Sequence, residues 1–347
     1  MFKRFDIIII GSGFGGLFCG YILSKNGYKV GIFEKHSHVG GCLQTFNRNG
    51  VIFDTGVHYI GSIDPGQTMH KVFDYLNVFD NVTFQKLDEN GFEHISIEDK
   101  EYRYAMGYEN FINTLSESFP KEHKQIVKYV SDLKNMALSS PDYINLNAPH
   151  NYFSNKALIT GIGDYLDSLT SNETLKNVLS ATNMLYAGTR EKTPLFLHAH
   201  INNSYIQSAY RVEGGSQNIA NSMANSIIKM GGEIFTKSKV KKINCSSSCA
   251  TSVTLENGET IEAKKFISNI HPSLTLDLID SSLIKKAYRD RINSLKNTAS
   301  SFTLYIEFKP NSIPYTNYNY YKFKNNDVWN CSSHTQNDWP KNYLYMH

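Results

Sequence analysis

Three glycines and one acid carry the clearest chemistry in this sequence. Gly11, Gly13 and Gly16 stand in G-S-G-F-G-G directly after the apolar run 5–10, and Glu34 closes the later segment K-V-G-I-F-E. Glycine at position 11 permits a sharp turn out of a strand, glycine at 13 lets a pyrophosphate approach bare backbone, and glycine at 16 lets a helix pack closely on a sheet. The start of that helix offers N–H groups and the positive end of its dipole to phosphate oxygens. Glu34 lies 23 residues beyond Gly11, near the spacing at which an acid accepts hydrogen bonds from an adenosine ribose. A 2′-phosphate would meet that carboxylate, which disfavours NADP.

Those residues need a strand, a turn, a helix and a second strand to hold them. Four consecutive isoleucines, Ile7 to Ile10, suit a strand buried on both faces. Leu17, Tyr21 and Leu23, followed by K-N-G at 25–27, suit a short helix with a glycine stop. Lys3 and Arg4 before an apolar stretch have the look of a secretory leader. Asp6, the glycines and the patterned continuation, with no small-residue cleavage site, argue against one. A second glycine pair, Gly40-Gly41, follows soon after the acid, and a strand at 51–54 leads into T-G-V-H-Y-I-G, which contains His58 and Tyr59. A simple NAD fold does not need these extra close approaches, whereas the longer FAD does.

From about residue 64 to 199 the pattern changes to amphipathic helices, at 68–76, 111–119, 123–136 and 157–185, with no nucleotide signature. Glycine-rich chain returns at Gly214-Gly215-Ser216, which opens a helix over 217–230 and leads to a strand over 233–243. Runs at 252–255 and 260–262 flank Asn257-Gly258, a hairpin signal. Residues 265–269 read as a buried strand entering a turn at His271-Pro272, and 302–308 as further sheet. The fold class expected is α/β: a discontinuous Rossmann-like FAD-binding domain at 1–70 and 201–275, with an inserted α+β substrate or cap domain at 71–200 continuing over 276–347.

The chain has 347 residues, 41% hydrophobic and 19% charged, with a net charge of +3. That suits a globular protein with room for two domains and gives no footing for nucleic acid. No run reaches the roughly 20 apolar residues that cross a bilayer. Cys19, Cys42, Cys245, Cys249 and Cys331 are scattered and lack C-x-x-C spacing, so they read as reduced cytoplasmic thiols. His198 and His200 could ligate a metal from one face of a strand, but no third ligand cluster accompanies them, and no metal is expected.

Taken in order, these blocks resemble the FAD-dependent phytoene desaturase, carotenoid isomerase and retinol saturase superfamily, itself related to the amine oxidases. Within it, G-G-C-L-Q-T-F followed by F-D-T-G-V-H-Y-I-G looks most like the retinol saturase (all-trans-retinol 13,14-reductase) branch. The resemblance implies that Gly11, Ser12, Gly13, Phe14, Gly15 and Gly16 wrap the pyrophosphate, and that Glu34 and Lys35 meet the adenosine ribose. It also implies that Gly41, Cys42 and Leu43 lie along the FAD and that Val240 meets the adenine through its backbone. Family members are typically longer and close with a glycine-rich segment that helps hold the flavin. No equivalent precedes His347, so the sequence is expected to be either a fragment or a shortened relative.

The activity implied is hydride transfer between flavin N5 and a carbon of a lipophilic polyene, as saturation, desaturation or isomerisation, with an electron partner that the sequence does not identify. His58 and Tyr59 are the nominees for a general acid, and packing against the flavin or the core is the simpler role for both. The helical insert suggests substrate entry from a membrane surface, hence peripheral membrane contact. An amine oxidase or protoporphyrinogen oxidase type of flavoenzyme is the alternative, and a catalytically silent nucleotide-binding chain a further one.

Overall fold

A computed structural model describes residues 4–138, 152–279, 281–298, 301–330 and 344–346. The chain divides into two compact units: Met1–His58 with Phe73–Phe84 and Val212–Asn297, and Tyr59–Val72 with Gln85–Arg211 and Thr298–His347.

The first unit is built on a six-stranded sheet. Strand Arg4–Ile10 lies between Val30–Phe33 and Thr260–Ser268, parallel to both, and Glu233–Phe235 adds a further parallel strand beside Val30–Phe33. Ala250–Leu255 and Val240–Cys245 complete the sheet as antiparallel strands beyond Thr260–Ser268. Ile8 and Ile9 are fully buried because both faces of their strand are covered. Phe5, Ile8 and Ile10 join Phe33, Val253 and Ile261 in one apolar cluster. Helix Phe14–Lys25 ends at Asn26, and Gly27, at φ +82°, takes the left-handed conformation that stops it. Gly20 brings that helix onto the sheet: a Cβ there would stand 2.7 Å from Ile32 Cδ1.

The second unit contains a four-stranded sheet in which Asn319–Phe323 runs parallel to Glu93–Ile97. Leu344–Met346 and Lys100–Tyr104 are the antiparallel flanks. Two of its helices bury one stripe each. Phe111 and Leu115 are buried in Tyr108–Ser118, and Ile126, Tyr129, Val130, Leu133 and Ala137 in His123–Leu138, the spacing of a single helical face. Asn172 caps helix Glu173–Ser180 by accepting from the Leu175 N–H at 3.1 Å.

Several expectations are corrected. The strand expected over 233–243 is two strands, Glu233–Phe235 and Val240–Cys245, at opposite edges of the sheet. Between them the Lys237 N–H donates to the His36 carbonyl and the Ser238 N–H to that of Glu34. The runs at 260–262 and 265–269 are one strand, Thr260–Ser268, held by its ladder to Arg4–Ile10. The helical stretch at 157–185 is broken into Tyr152–Ile159, Ile162–Leu169 and Glu173–Ser180. Residues 302–308 are not strand, and Leu304 and Ile306 are exposed. His198 and His200 lie in helix Leu195–Gln207, not a strand, so two residues separate them by more than half a turn. Cys331 and the last residue, His347, lie outside the described residues.

Candidate dinucleotide site

Strand Arg4–Ile10 delivers the glycine loop to the carboxyl end of the parallel sheet, where open α/β folds place their ligands. Gly11 turns out of it at φ +92°, and its N–H donates to the Phe33 carbonyl at 2.9 Å. Helix Phe14–Lys25 starts at Gly13 with no side chain capping it, so its first N–H groups face outward from the loop. A Cβ on Gly16 would stand 2.2 Å from the Gly11 carbonyl oxygen, which ties the helix start against the turn. Phe14 is half-buried with its ring 6.0 Å from that of Phe18, and Gly15 is exposed.

Glu34 is buried at the end of strand Val30–Phe33 and is spoken for by protein donors. Oε2 accepts from the Ser12 N–H at 2.9 Å and from Ser12 Oγ at 2.6 Å, and Oε1 accepts from the His36 N–H at 2.9 Å. Burial alone would raise the pKa of this carboxyl. The bonds from His36 and Ser12 outweigh burial and hold the group below its ordinary 4.5, so it is ionised at neutral pH. Two donors fill Oε2 and one occupies Oε1, which leaves one lone pair, on Oε1, for a ribose hydroxyl. Lys35 is exposed beside it.

The second glycine pair folds back onto the first. The Gly40 N–H donates to the Ser12 carbonyl at 2.9 Å, and Gly13 and Gly40 form a parallel bridge. Gly40 and Gly41 both have positive φ, and a Cβ on Gly41 would lie 3.0 Å from Gly13 Cα. Cys42 is exposed and Leu43 buried in the short turn that follows. Ser216, at the start of helix Gln217–Lys229, closes this side: its Oγ donates to the Leu43 carbonyl at 3.0 Å and contacts Asp54 Oδ1 at 2.7 Å. Val240 shares an apolar cluster with Ile10 and Phe33, two residues after the Ser238 N–H that bonds the Glu34 carbonyl. The twelve residues named for the cofactor therefore converge on the same end of this unit.

Two further elements belong to the same place and were not singled out for it. Asn269 follows strand Thr260–Ser268, and its N–H donates to the Ile10 carbonyl. Its side chain overhangs the glycine loop: a Cβ on Gly15 would meet Asn269 Oδ1 at 2.7 Å, and one on Gly13 would meet Nδ2 at 3.1 Å. The Asp54–Ser216 clamp is the other. The signal for Asn269 was its position at the end of a buried strand, but nothing in the sequence said which strand it would pair with.

His58 and Tyr59 fall on either side of the division between the units. His58 is half-buried. Tyr59 is buried, its hydroxyl 3.0 Å from that of Tyr321 and its ring 4.6 Å from that of Tyr205. Burial, then the nearby Glu93 carboxyl and Tyr321, push its phenol well above the ordinary value. His198 is fully buried, with Nε2 at 2.8 Å from Tyr129 Oη and Nδ1 at 2.8 Å from Tyr186 Oη, and burial holds it neutral with a value of about 3. His200 packs on Phe196. Among the described residues no group of three metal-ligating side chains occurs, and no helix is long and apolar enough to cross a membrane.

Residues 9–76 match the model of the NAD(P)-binding Rossmann-like domain family. The chain is 30% identical over 281 residues to the human all-trans-retinol 13,14-reductase, which covers 72% of this chain and 44% of that relative. It is 27% identical over 323 residues to a 4,4′-diapophytoene desaturase (4,4′-diapolycopene-forming) of a Methylomonas species, covering 86% of this chain and 60% of that one. In fold it resembles an oxidoreductase from Methanosarcina mazei, with a TM-score of 0.64 at 20% identity, over 85% of this chain and 66% of that one. The chain thus spans about half the length of the curated relatives it matches. The resemblance to the retinol saturase and carotenoid desaturase group, read first from the glycine blocks, is borne out by these relatives, and the α/β Rossmann-like class by the family match and the fold.

Proposed function

We propose that this chain is an FAD-dependent oxidoreductase acting on carbon–carbon bonds of a conjugated, lipophilic polyene. The observation that carries the cofactor assignment is the Glu34 carboxylate, ionised and fixed by Ser12 and His36 beside a loop of bare glycines. It suits an adenosine ribose with free hydroxyls and repels a 2′-phosphate. The added approach at Gly40-Gly41 gives the longer FAD backbone to lie on. The polyene assignment rests on the relatives, which are named for a retinol and for carotenoid precursors.

Bound flavin would supply hydride transfer to or from a substrate carbon. In this reading Gly11, Gly13, Gly15, Gly16 and the helix start bind the pyrophosphate, with Ser12 fixing Glu34. Glu34 orients the ribose from one side, Val240 offers backbone to the adenine, and Gly41, Cys42 and Leu43 flank the cofactor farther along. Asn269 holds the glycine loop in place. The first unit binds the cofactor and the second receives the substrate. Tyr59, kept neutral by burial, is available only as a hydrogen-bond partner or proton donor, and His58 is the other nominee for a general acid.

Purified protein is expected to be yellow and to release FAD on denaturation. Incubation with all-trans-retinol, phytoene and putrescine should then change the polyene spectrum and leave the amine untouched. Oxidation of the amine with unaltered polyenes would instead assign the chain to the amine oxidase type. A polyene reaction unchanged by His58→Ala at every pH would remove His58 from the chemistry. Recovery of all the protein in the soluble fraction, without binding to phospholipid vesicles, would count against contact with a membrane surface.

A further inference from the structure

Strand Glu93–Ile97 breaks its own pattern. Glu93, Ile95 and Ile97 share one face, in register with Asn319, Tyr321 and Phe323 on one side and with Tyr104 and Tyr102 on the other. Six of those eight positions supply the apolar and aromatic core of the second unit, and Glu93, with no exposed surface, is an acid among them. Neither of its carboxyl oxygens has a well-formed hydrogen bond, although Tyr59 and Asn319 lie near enough to pull on the carboxyl. Two neighbours share that condition: Arg211 Nε and Asn319 Nδ2 are also buried without one. Arg211 and Asn319 are linked, since Arg211 Nη2 donates to Asn319 Oδ1 at 3.1 Å and to the Tyr318 carbonyl at 3.2 Å. Four buried polar atoms left open in one cluster would each cost about 1–3 kcal/mol unless something fills them.

We propose that Glu93, Arg211 and Asn319 form a buried subsite for the hydroxyl end of an otherwise apolar ligand. The donor inventory favours a hydroxyl over a carboxylate. Arg211 has already committed Nη2 to protein oxygens, so its Nε–Nη2 edge is not free as a two-pronged fork for an anion, and Nε is the buried donor left open. A hydroxyl accepts from Arg211 Nε and Asn319 Nδ2 and donates to a Glu93 oxygen. Burial raises the Glu93 carboxyl to about 8, although Tyr59, Asn319 and the Arg211 charge pull it partly back. It is therefore neutral near pH 7 and can donate as well as accept, so an alcohol can settle there in either orientation. The rings of Tyr59, Tyr104, Tyr205 and Tyr321 surround the carboxyl, so the environment next to it is aromatic, as the apolar part of such a ligand requires. The proposal rests on the reading that the second unit receives a lipophilic molecule, but not on that molecule being a polyene.

The test compares two alcohols with their hydrocarbons, by equilibrium binding from dilute detergent to the full chain. The pairs are all-trans-retinol against the same polyene ending in a methyl group, and hexadecan-1-ol against hexadecane. At least one alcohol is expected to bind about tenfold more tightly than its hydrocarbon, a difference of about 1.4 kcal/mol. Glu93→Leu, which removes both oxygens from an apolar surrounding and should fold, is expected to abolish the preference, and Glu93→Gln to keep part of it. Preference for hexadecan-1-ol without retinol binding would sustain the subsite while overturning the polyene reading. Equal binding of alcohol and hydrocarbon, a preference that survives in Glu93→Leu, or no binding by any of the four would overturn the subsite and mark a cluster that holds only a fixed water.

Discussion

At Gly16 one added methyl group meets backbone. A Cβ there would lie 2.2 Å from the Gly11 carbonyl oxygen, a partner with no flexible end to swing away. Gly16→Ala is therefore expected to cost ~1–3 kcal/mol in stability, measured by denaturant unfolding, and to loosen FAD as the helix start shifts. Glu34 makes a second prediction. Its folded-state value lies below the ordinary 4.5, so its contribution is present above that pH and is lost as pH falls through the lower folded value. Glu34→Gln turns one acceptor oxygen into a donor facing other donors. It should cost ~1–3 kcal/mol at neutral pH and flatten the acid limb of the stability profile, read by thermal unfolding between pH 2 and 7. Equal acid limbs in parent and variant would show that Ser12 and His36 do not hold the carboxylate as described.

Among the elements, strand Glu93–Ile97 carries the opposite sign. The Glu93 carboxyl rises from 4.5 to about 8 on folding, so the stability tied to its proton is whole below 4.5 and is lost as pH climbs through about 8. Tyr59, Tyr104, Tyr205 and Tyr321, which face it, are all pushed up from 10.0 and stay neutral throughout. His94 and His198 are depressed by burial and give slopes of the other sign at lower pH. The difference between parent and Glu93→Gln therefore isolates the acid: the variant is expected to gain relative stability steadily from pH 5 to 8. A flat difference would mean that Glu93 is already ionised in the folded protein.

The same elements show how far sequence alone reaches. Strand Arg4–Ile10, helix Phe14–Lys25 and the Asn257-Gly258 hairpin were legible because their signals are local: an isoleucine run, a glycine stop and a two-residue turn. The split of 233–243 was not, because its turn is held from far away by the His36 and Glu34 carbonyls. Asn269 escaped as a site residue for the same reason. It reaches the glycine loop only because Thr260–Ser268 pairs in parallel with a strand some 250 residues earlier. The stretch 302–308 alternates like a strand, yet alternation describes a face and not a partner for the backbone. Glu93 was readable in principle, as an acid in phase with Ile95 and Ile97, but E-H-I-S-I leaves open which face turns inward.

Across the whole molecule, one unit carries the glycine loop and the buried Glu34 carboxylate, and the aromatic core of the second holds a buried acid, Glu93. Relatives named for retinol reduction and carotenoid desaturation then make polyene chemistry the reading to test. The most direct measurement is an anaerobic single turnover of the FAD-loaded chain, followed by absorbance at the flavin and polyene bands together. Reduced flavin mixed with all-trans-retinol, or oxidised flavin mixed with phytoene, is expected to exchange redox state in step with a one-double-bond change in the polyene. Flavin that stays unchanged with both polyenes, while amines alter it, would contradict the account.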